Sequence, residues 1–185
     1  MFYPTGKKET YKKTLIEYKN RGMDLESLIN SSNDYYLEND KAVIYKKPTP
    51  IGLVDVDYKK GEIKSAYFAS KSTLDYNGVY RGKYLDFDAK ESHSKTSFPL
   101  SNISPHQIEH IKRVLRQDGI TFLIVSIANC YYLLKGEDLL EFIKSNERKS
   151  IPLDYFKNNC MVIKEKLRPR LDYLEIVDKI YFKGE

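Results

Sequence analysis

Tryptophan is absent from this 185-residue chain, and cysteine occurs only at Cys130 and Cys160. Neither cysteine sits in CxxC spacing or beside a histidine, so a disulfide framework and a zinc centre both lose support. Reduced structural thiols are the reading. No apolar run is long enough to span a bilayer. The stretch Met1–Lys8 has no apolar signal core, so the expected compartment is the cytoplasm, without a membrane partner. No G-x-x-x-x-G-K-[ST] and no G-x-S-x-G occur, which removes the basis for P-loop and serine-esterase chemistry. Internal repeats are also missing.

What remains is a chain with 41% hydrophobic residues and 16 tyrosines. It is long enough to bury a core. Lysine and arginine number 31 against 26 acids, a net charge of +5 and a mild bias toward polyanions. Residues 1–20, with Lys7, Lys8, Lys12 and Lys13, read as a basic arm. Residues 21–185 read as one domain, with an insertion at about 50–72.

The pattern predicts a helix from Asp24 to Asn39, carrying Leu25, Leu28, Ile29 and Tyr36 on one stripe. A strand follows at Ala42–Tyr45, stopped by Pro48 and Pro50. Ile51–Tyr58 and Glu62–Phe68 predict a hairpin turning at Lys59-Lys60-Gly61. Asn77-Gly78 is the strongest short hairpin-turn signal. A helix begins with Ser104 as N-cap, Pro105 at N1 and Gln107 at N3, and Gly119 is its expected end. Ile120–Ile127 reads as a central strand, and Cys130–Lys135 as its neighbour. Helices are expected at Glu137–Ser145 and Leu171–Ile180. The fold class is α/β, a mixed sheet with flanking helices.

The chemistry concentrates in Lys83–Lys90, which alternates like a strand. Leu85, Phe87 and Ala89 share an apolar face, while Tyr84, Asp86, Asp88 and Lys90 share the other. Asp75 lies about a dozen residues upstream. Two carboxylates can hold a hard divalent cation, and a lysine two residues beyond the second stays on its face. That combination suits metal-assisted phosphodiester hydrolysis. A lone D-x-K is more often a surface ion pair. Here Asp86 adds a like charge to that face, and the apolar back anchors the strand. His106 and His110 share i,i+4 spacing but lack the HExxH acid, so they read as helix-surface residues.

Several stretches together carry a specific resemblance. They are Arg21–Glu26, Lys46–Ile51, Asp75–Tyr80, Tyr84–Glu91, Lys95–Leu100 and His106–His110. Over almost its whole length the chain resembles the RecU family of Holliday junction resolvases, which belong to the PD-(D/E)xK nucleases. The resemblance implies a restriction-endonuclease-like fold with a projecting stalk near 50–72. It implies Mg²⁺-dependent endonuclease action on four-way junctions in recombination and repair, by a homodimer and with a strand-exchange recombinase as a further partner. Mn²⁺ is the expected substitute ion. The implied metal set is Thr73, Asp75, Asp88 and Gln107, with Asp75, Asp88 and Lys90 catalytic and Glu26 an accessory acid. The basic side chains expected on DNA are Arg21, Lys46, Lys47, Lys59, Lys60, Lys71, Arg81, Lys83 and Lys95. The family usually has Glu where this chain has Asp88. The competing readings are a nuclease for other branched DNA and a non-catalytic junction-binding or recombinase-modulating protein.

Overall fold

The computed structural model describes residues 24–69 and 73–182, apart from the Phe68 side chain. The expected arm at 1–20, Arg21 and Lys71 lie outside the described residues. Helix α1 spans Leu25–Glu38 and is capped by Asp24, whose carboxylate accepts from the Ser27 N–H at 2.8 Å. Strands β1 (Val43–Lys46), β2 (Ile51–Asp57), β3 (Glu62–Phe68), β4 (Tyr76–Tyr80), β5 (Lys83–Glu91) and β6 (Ser97–Pro99) follow. Then come α2 (Pro105–Leu115), β7 (Ile120–Ile127), β8 (Cys130–Lys135) and α3 (Gly136–Ser145). The chain closes with β9 (Ser150–Pro152), α4 (Leu153–Asn159), β10 (Met161–Ile163) and α5 (Tyr173–Tyr181).

Six strands form one mixed sheet in the order β1-β4-β5-β7-β8-β10. Only β5 and β7 within it run parallel, and α2 makes the crossover between them. Both faces are covered, which is why β7 is an almost unbroken apolar run. One face carries Leu85, Phe87, Phe122 and Ile124 and packs against α1 and α5. Phe87 stacks on Tyr76 and Phe122 there, with ring centroids 5.0 and 4.6 Å apart. The other face carries Leu123, Val125 and Leu134 and packs against α2, α3 and α4. Among the described residues β2 and β3 pair only with each other, as a hairpin outside the main sheet. Its Leu53, Val54, Tyr58, Ile63 and Tyr67 are exposed.

Two turns differ from expectation. Asn77-Gly78 lies inside β4, and the chain reverses at Arg81 (φ 48°) and Gly82 (φ 74°). Two successive positive φ values match the twist of a two-residue hairpin. Gly78 serves a different need, because a Cβ there would stand 2.1 Å from the Val43 carbonyl oxygen on β1. Helix α2 ends at Leu115, before Gly119, and Asp118 (φ 57°) makes the turn into β7. The short ladder β6–β9, helix α4 and strand β10 have patterns too brief to predict. Both cysteines are free thiols, as expected.

Candidate active site

The β4–β5 ladder pairs Tyr76 with Phe87 and Asn77 with Asp86. Continuing that register by one residue sets Asp75 opposite Asp88. The β5–β7 ladder pairs Asp86 with Thr121 and Asp88 with Leu123, so both acids face the α2 side of the sheet. Both are wholly buried. The surface ion pair that a D-x-K motif usually signifies is therefore not the arrangement here. Burial of a charge is costly without partners, and each acid has acquired a different set.

On Asp88, Oδ2 accepts from Gln107 Nε2 at 2.7 Å and pairs with Lys90 Nζ at 3.0 Å. Its Oδ1 is buried with no hydrogen-bond partner among the described residues. Burial pushes the Asp88 carboxyl up from 3.8 to about 6; Lys90 pulls it down and Asp75 pushes it up again. An orphaned carboxylate oxygen beside a second acid is what a divalent cation would satisfy.

Gln107 owes its position to the start of α2. Its Oε1 accepts from the Ser104 N–H at 3.0 Å, completing the capping box read from the sequence. Its Nε2 donates to Asp88 and also lies 3.2 Å from the Thr73 carbonyl. Thr73, Asp75, Asp88, Lys90 and Gln107 are thus drawn together. Among the described residues no cluster of three or more His, Cys, Asp or Glu side chains is arranged to hold a metal. A Mg²⁺ ion needs no such cage, because it commonly takes one or two carboxylates and keeps waters or phosphate oxygens for the remainder.

Asp86 is coordinated quite differently. Lys47 Nζ lies 2.8 and 2.9 Å from its two oxygens, and the Tyr84 hydroxyl donates to Oδ2 at 2.8 Å. His110 Nε2 also lies 2.8 Å from Oδ2. His110 therefore faces the sheet and not solvent, a correction to the helix-surface reading. The clue was its i,i+3 spacing from Gln107, which puts both on one face of α2. Lys47, expected on DNA, instead reaches inward and donates to Thr73 Oγ1 at 3.0 Å.

Lys46 points to the opposite side of β1 and pairs with Glu26 on α1. Its ammonium is held protonated by that hydrogen bond foremost, with Asp75 and Asp24 adding to the effect. Glu91 accepts from the Leu25 N–H at 2.8 Å, fixing the start of α1 against β5. Asp24, Leu25, Glu26, Ala89 and Glu91 line a cleft of roughly 230 Å³. The Tyr76 hydroxyl is buried without a hydrogen-bond partner among the described residues, and its pKa is raised by burial first and then by Glu26, Asp75 and Asp88. Glu26 and the acid pair thus both act on the Tyr76 hydroxyl.

The remaining basic candidates are spread out. Lys59 and Lys60 sit exposed in the β2–β3 turn. Arg81 and Lys83 lie at the turn end of the β4–β5 hairpin, away from Asp75 and Asp88. There Arg81 contacts Asp178 at 3.3 Å and stands over the Phe182 ring at 4.6 Å. Lys95 is exposed in the loop after β5, beyond Lys90.

The chain is 48% identical to the Holliday junction resolvase RecU of Bacillus licheniformis, with 97% of each chain covered. It is 45% identical to the Holliday junction resolvase RecU of Bacillus subtilis, over 97% of this chain and 95% of that one. Among solved structures, Archaeoglobus fulgidus Hjc, a Holliday junction resolvase, overlaps 72% of this chain and 94% of its own. That overlap has 8% identity and a TM-score of 0.42, too loose to bear on the site. The family model described as Recombination protein U matches residues 20–179, and the chain belongs to the RecU family.

Proposed function

We propose that this protein is a Mg²⁺-dependent endonuclease that resolves four-way DNA junctions. The observation that carries the reading is the Asp75–Asp88–Lys90 group with its orphaned, buried Asp88 Oδ1. The naming of relatives at 45–48% identity as Holliday junction resolvases supports the substrate. Asp75 and Asp88 are the groups to hold the ion, with Thr73 and Gln107 completing the set. Mg²⁺ held by these groups would supply positive charge against the phosphate and would make a water more acidic. Gln107 holds the Asp88 carboxylate in one orientation and leaves Oδ1 facing the site. Lys90, held at 3.0 Å from Asp88, supplies positive charge beside the phosphorus where negative charge develops. Glu26, paired with Lys46, is the accessory acid of this reading.

A four-way junction has two-fold symmetry, so a homodimer would offer two sites to opposed strands. The β2–β3 hairpin is the element to enter the junction, with Lys59 and Lys60 at its tip. The expected setting is the cytoplasm, with a recombinase as a further partner. Among the described residues no helix is long and apolar enough to cross a membrane.

The decisive assay incubates the protein and Mg²⁺ with a mobile four-way junction, a linear duplex and a flap. Paired, symmetric cuts in the junction alone are expected. Junction binding without any cleavage would replace this reading with a non-catalytic one. Equal cutting of the flap would replace it with a general branched-DNA nuclease. Asp75→Asn should bind the junction yet leave it intact.

A further inference from the structure

Asp86 has no free oxygen to offer a metal, yet it is the most heavily coordinated acid near the site. Lys47 occupies both of its oxygens, and Tyr84 and His110 share Oδ2. We propose that Asp86 is a positioning residue that sets the geometry of the metal-binding groups, with Lys47 as its clamp and His110 as its tie to α2. This inference rests on the function proposed above.

Three connections carry it. First, Lys47 grips the segment Thr73–Asp75 at two points. Its Nζ donates to Thr73 Oγ1 at 3.0 Å, and its backbone N–H donates to the Asp75 carbonyl at 2.7 Å. Lys47 is the first residue past β1, and Pro48 after it has no N–H to donate, so this is the last backbone grip on Asp75 from that end of β1. The ammonium that holds Thr73 is itself fixed by Asp86. Second, α2 presents Gln107 to Asp88 and His110 to Asp86 from one face. The helix is therefore pinned to β5 at two acids two residues apart. A rotation of α2 that released Gln107 would also break the His110 contact. Third, Tyr84 lies one step further along the same strand face, and its hydroxyl closes the remaining side of Oδ2. Asp86 thus joins β1, β5 and α2, the elements that fix Asp75, Asp88 and Gln107.

The same contacts give Lys47 a role other than holding DNA. Its side chain is 18% exposed, and its ammonium already has Asp86 and Thr73 as partners. A lysine spent on an internal clamp contributes no counterion release when DNA binds.

The test uses the full-length protein with Asp86→Asn, His110→Ala and the double variant Lys47→Met/Asp86→Asn. The double change removes both buried charges together, which avoids stranding one of them. Mn²⁺ binding is measured by calorimetry without DNA, alongside melting temperature, junction cleavage across Mg²⁺ concentrations and the salt dependence of junction binding. Folded variants should bind Mn²⁺ about 10–100-fold more weakly, the scale of losing a group that orients metal ligands. Cleavage should fall at low metal and recover as metal is raised, and the salt slope should stay at the parent value. A lower melting temperature with unchanged Mn²⁺ affinity would make Asp86 structural only and overturn the inference. So would a salt slope reduced by about one in the double variant, since Lys47 would then be a phosphate contact. A parent protein that neither binds Mn²⁺ nor cuts junctions defeats the proposed function and this inference with it. A parent that does both beside variants that match it defeats only this inference.

Discussion

Replacing Asp88 by Asn should stabilise the metal-free protein at neutral pH while destroying its activity. Asp88 is wholly buried, and its carboxyl is raised from 3.8 to about 6, by burial first and by Asp75 after the opposing effect of Lys90. The folded protein therefore keeps a proton that the unfolded chain releases in this window. Stability from this group is fully present below pH ~3.8, falls as pH rises, and is lost above pH ~6. The difference corresponds to about 3 kcal/mol at 1.36 kcal/mol per tenfold change in acidity. Asn fits the same contacts. Its carbonyl can take the place of Oδ2 and accept from Gln107 and Lys90, while its amide occupies the position of the orphaned Oδ1. Part of the gain is given back because a neutral acceptor pairs less well with the Lys90 ammonium. A net gain of about 1–2 kcal/mol remains, or roughly 2–8 °C in Tm for a chain of this size. The assay is thermal or urea unfolding of parent and Asp88→Asn in EDTA, at about pH 4 and about pH 8. The variant should be more stable at the higher pH and lose that advantage at the lower one. Added Mn²⁺ should raise the Tm of the parent alone. A variant less stable than the parent at pH 8, or a difference independent of pH, would refute the account of a buried acid held for an ion.

Lys90→Ala should slow junction cleavage by at least about 100-fold at saturating Mg²⁺, the scale of one preorganised electrostatic group; near-normal single-turnover rates would reduce Lys90 to an ion-pair partner of Asp88. Asp88→Glu should retain Mg²⁺-dependent cutting, since it restores the usual family acid, and a dead Glu variant would mean the site is built around the shorter arm. Gly78→Ala should cost about 1–3 kcal/mol on urea unfolding, because the new Cβ meets the backbone of β1 and cannot be accommodated by side-chain rotation; unchanged stability would mean β1 can move away freely. Replacing Lys59 and Lys60 together by Ala should lower the salt slope of junction binding by about two, and an unaltered slope would remove the hairpin tip from the DNA interface.

The parts legible in the sequence were those where one periodicity governs a whole element. The alternation in Lys83–Lys90 gave the two faces of β5 correctly, and the unbroken run Ile120–Ile127 marked a strand covered on both sides. Ser104, Pro105 and Gln107 gave the start of α2 because capping is local chemistry. Turn signals failed where a tertiary contact had a prior claim. Gly78 is required by the approach of β1, so its neighbour Asn77 does not make a turn, and Arg81-Gly82 takes that task.

The division of labour between chemically identical neighbours required the fold, although the rule behind it is simple. Lys46 and Lys47 are adjacent on a strand end, so their side chains leave on opposite faces. One face of the sheet meets α1, and Lys46 finds Glu26 there. The other meets α2, and Lys47 finds Asp86. Asp86 and Asp88 pose the converse case, since they share a face and periodicity cannot separate them. What separates them is position along the strand. Asp86 lies where β1, Tyr84 and His110 converge, and it is neutralised by direct partners. Asp88 lies two residues nearer the end of the ladder, opposite Asp75, where β4 has run out. There Oδ1 has no hydrogen-bond partner among the described residues, whereas both oxygens of Asp86 are occupied, and the proposed metal role of the second acid and positioning role of the first rest on that difference.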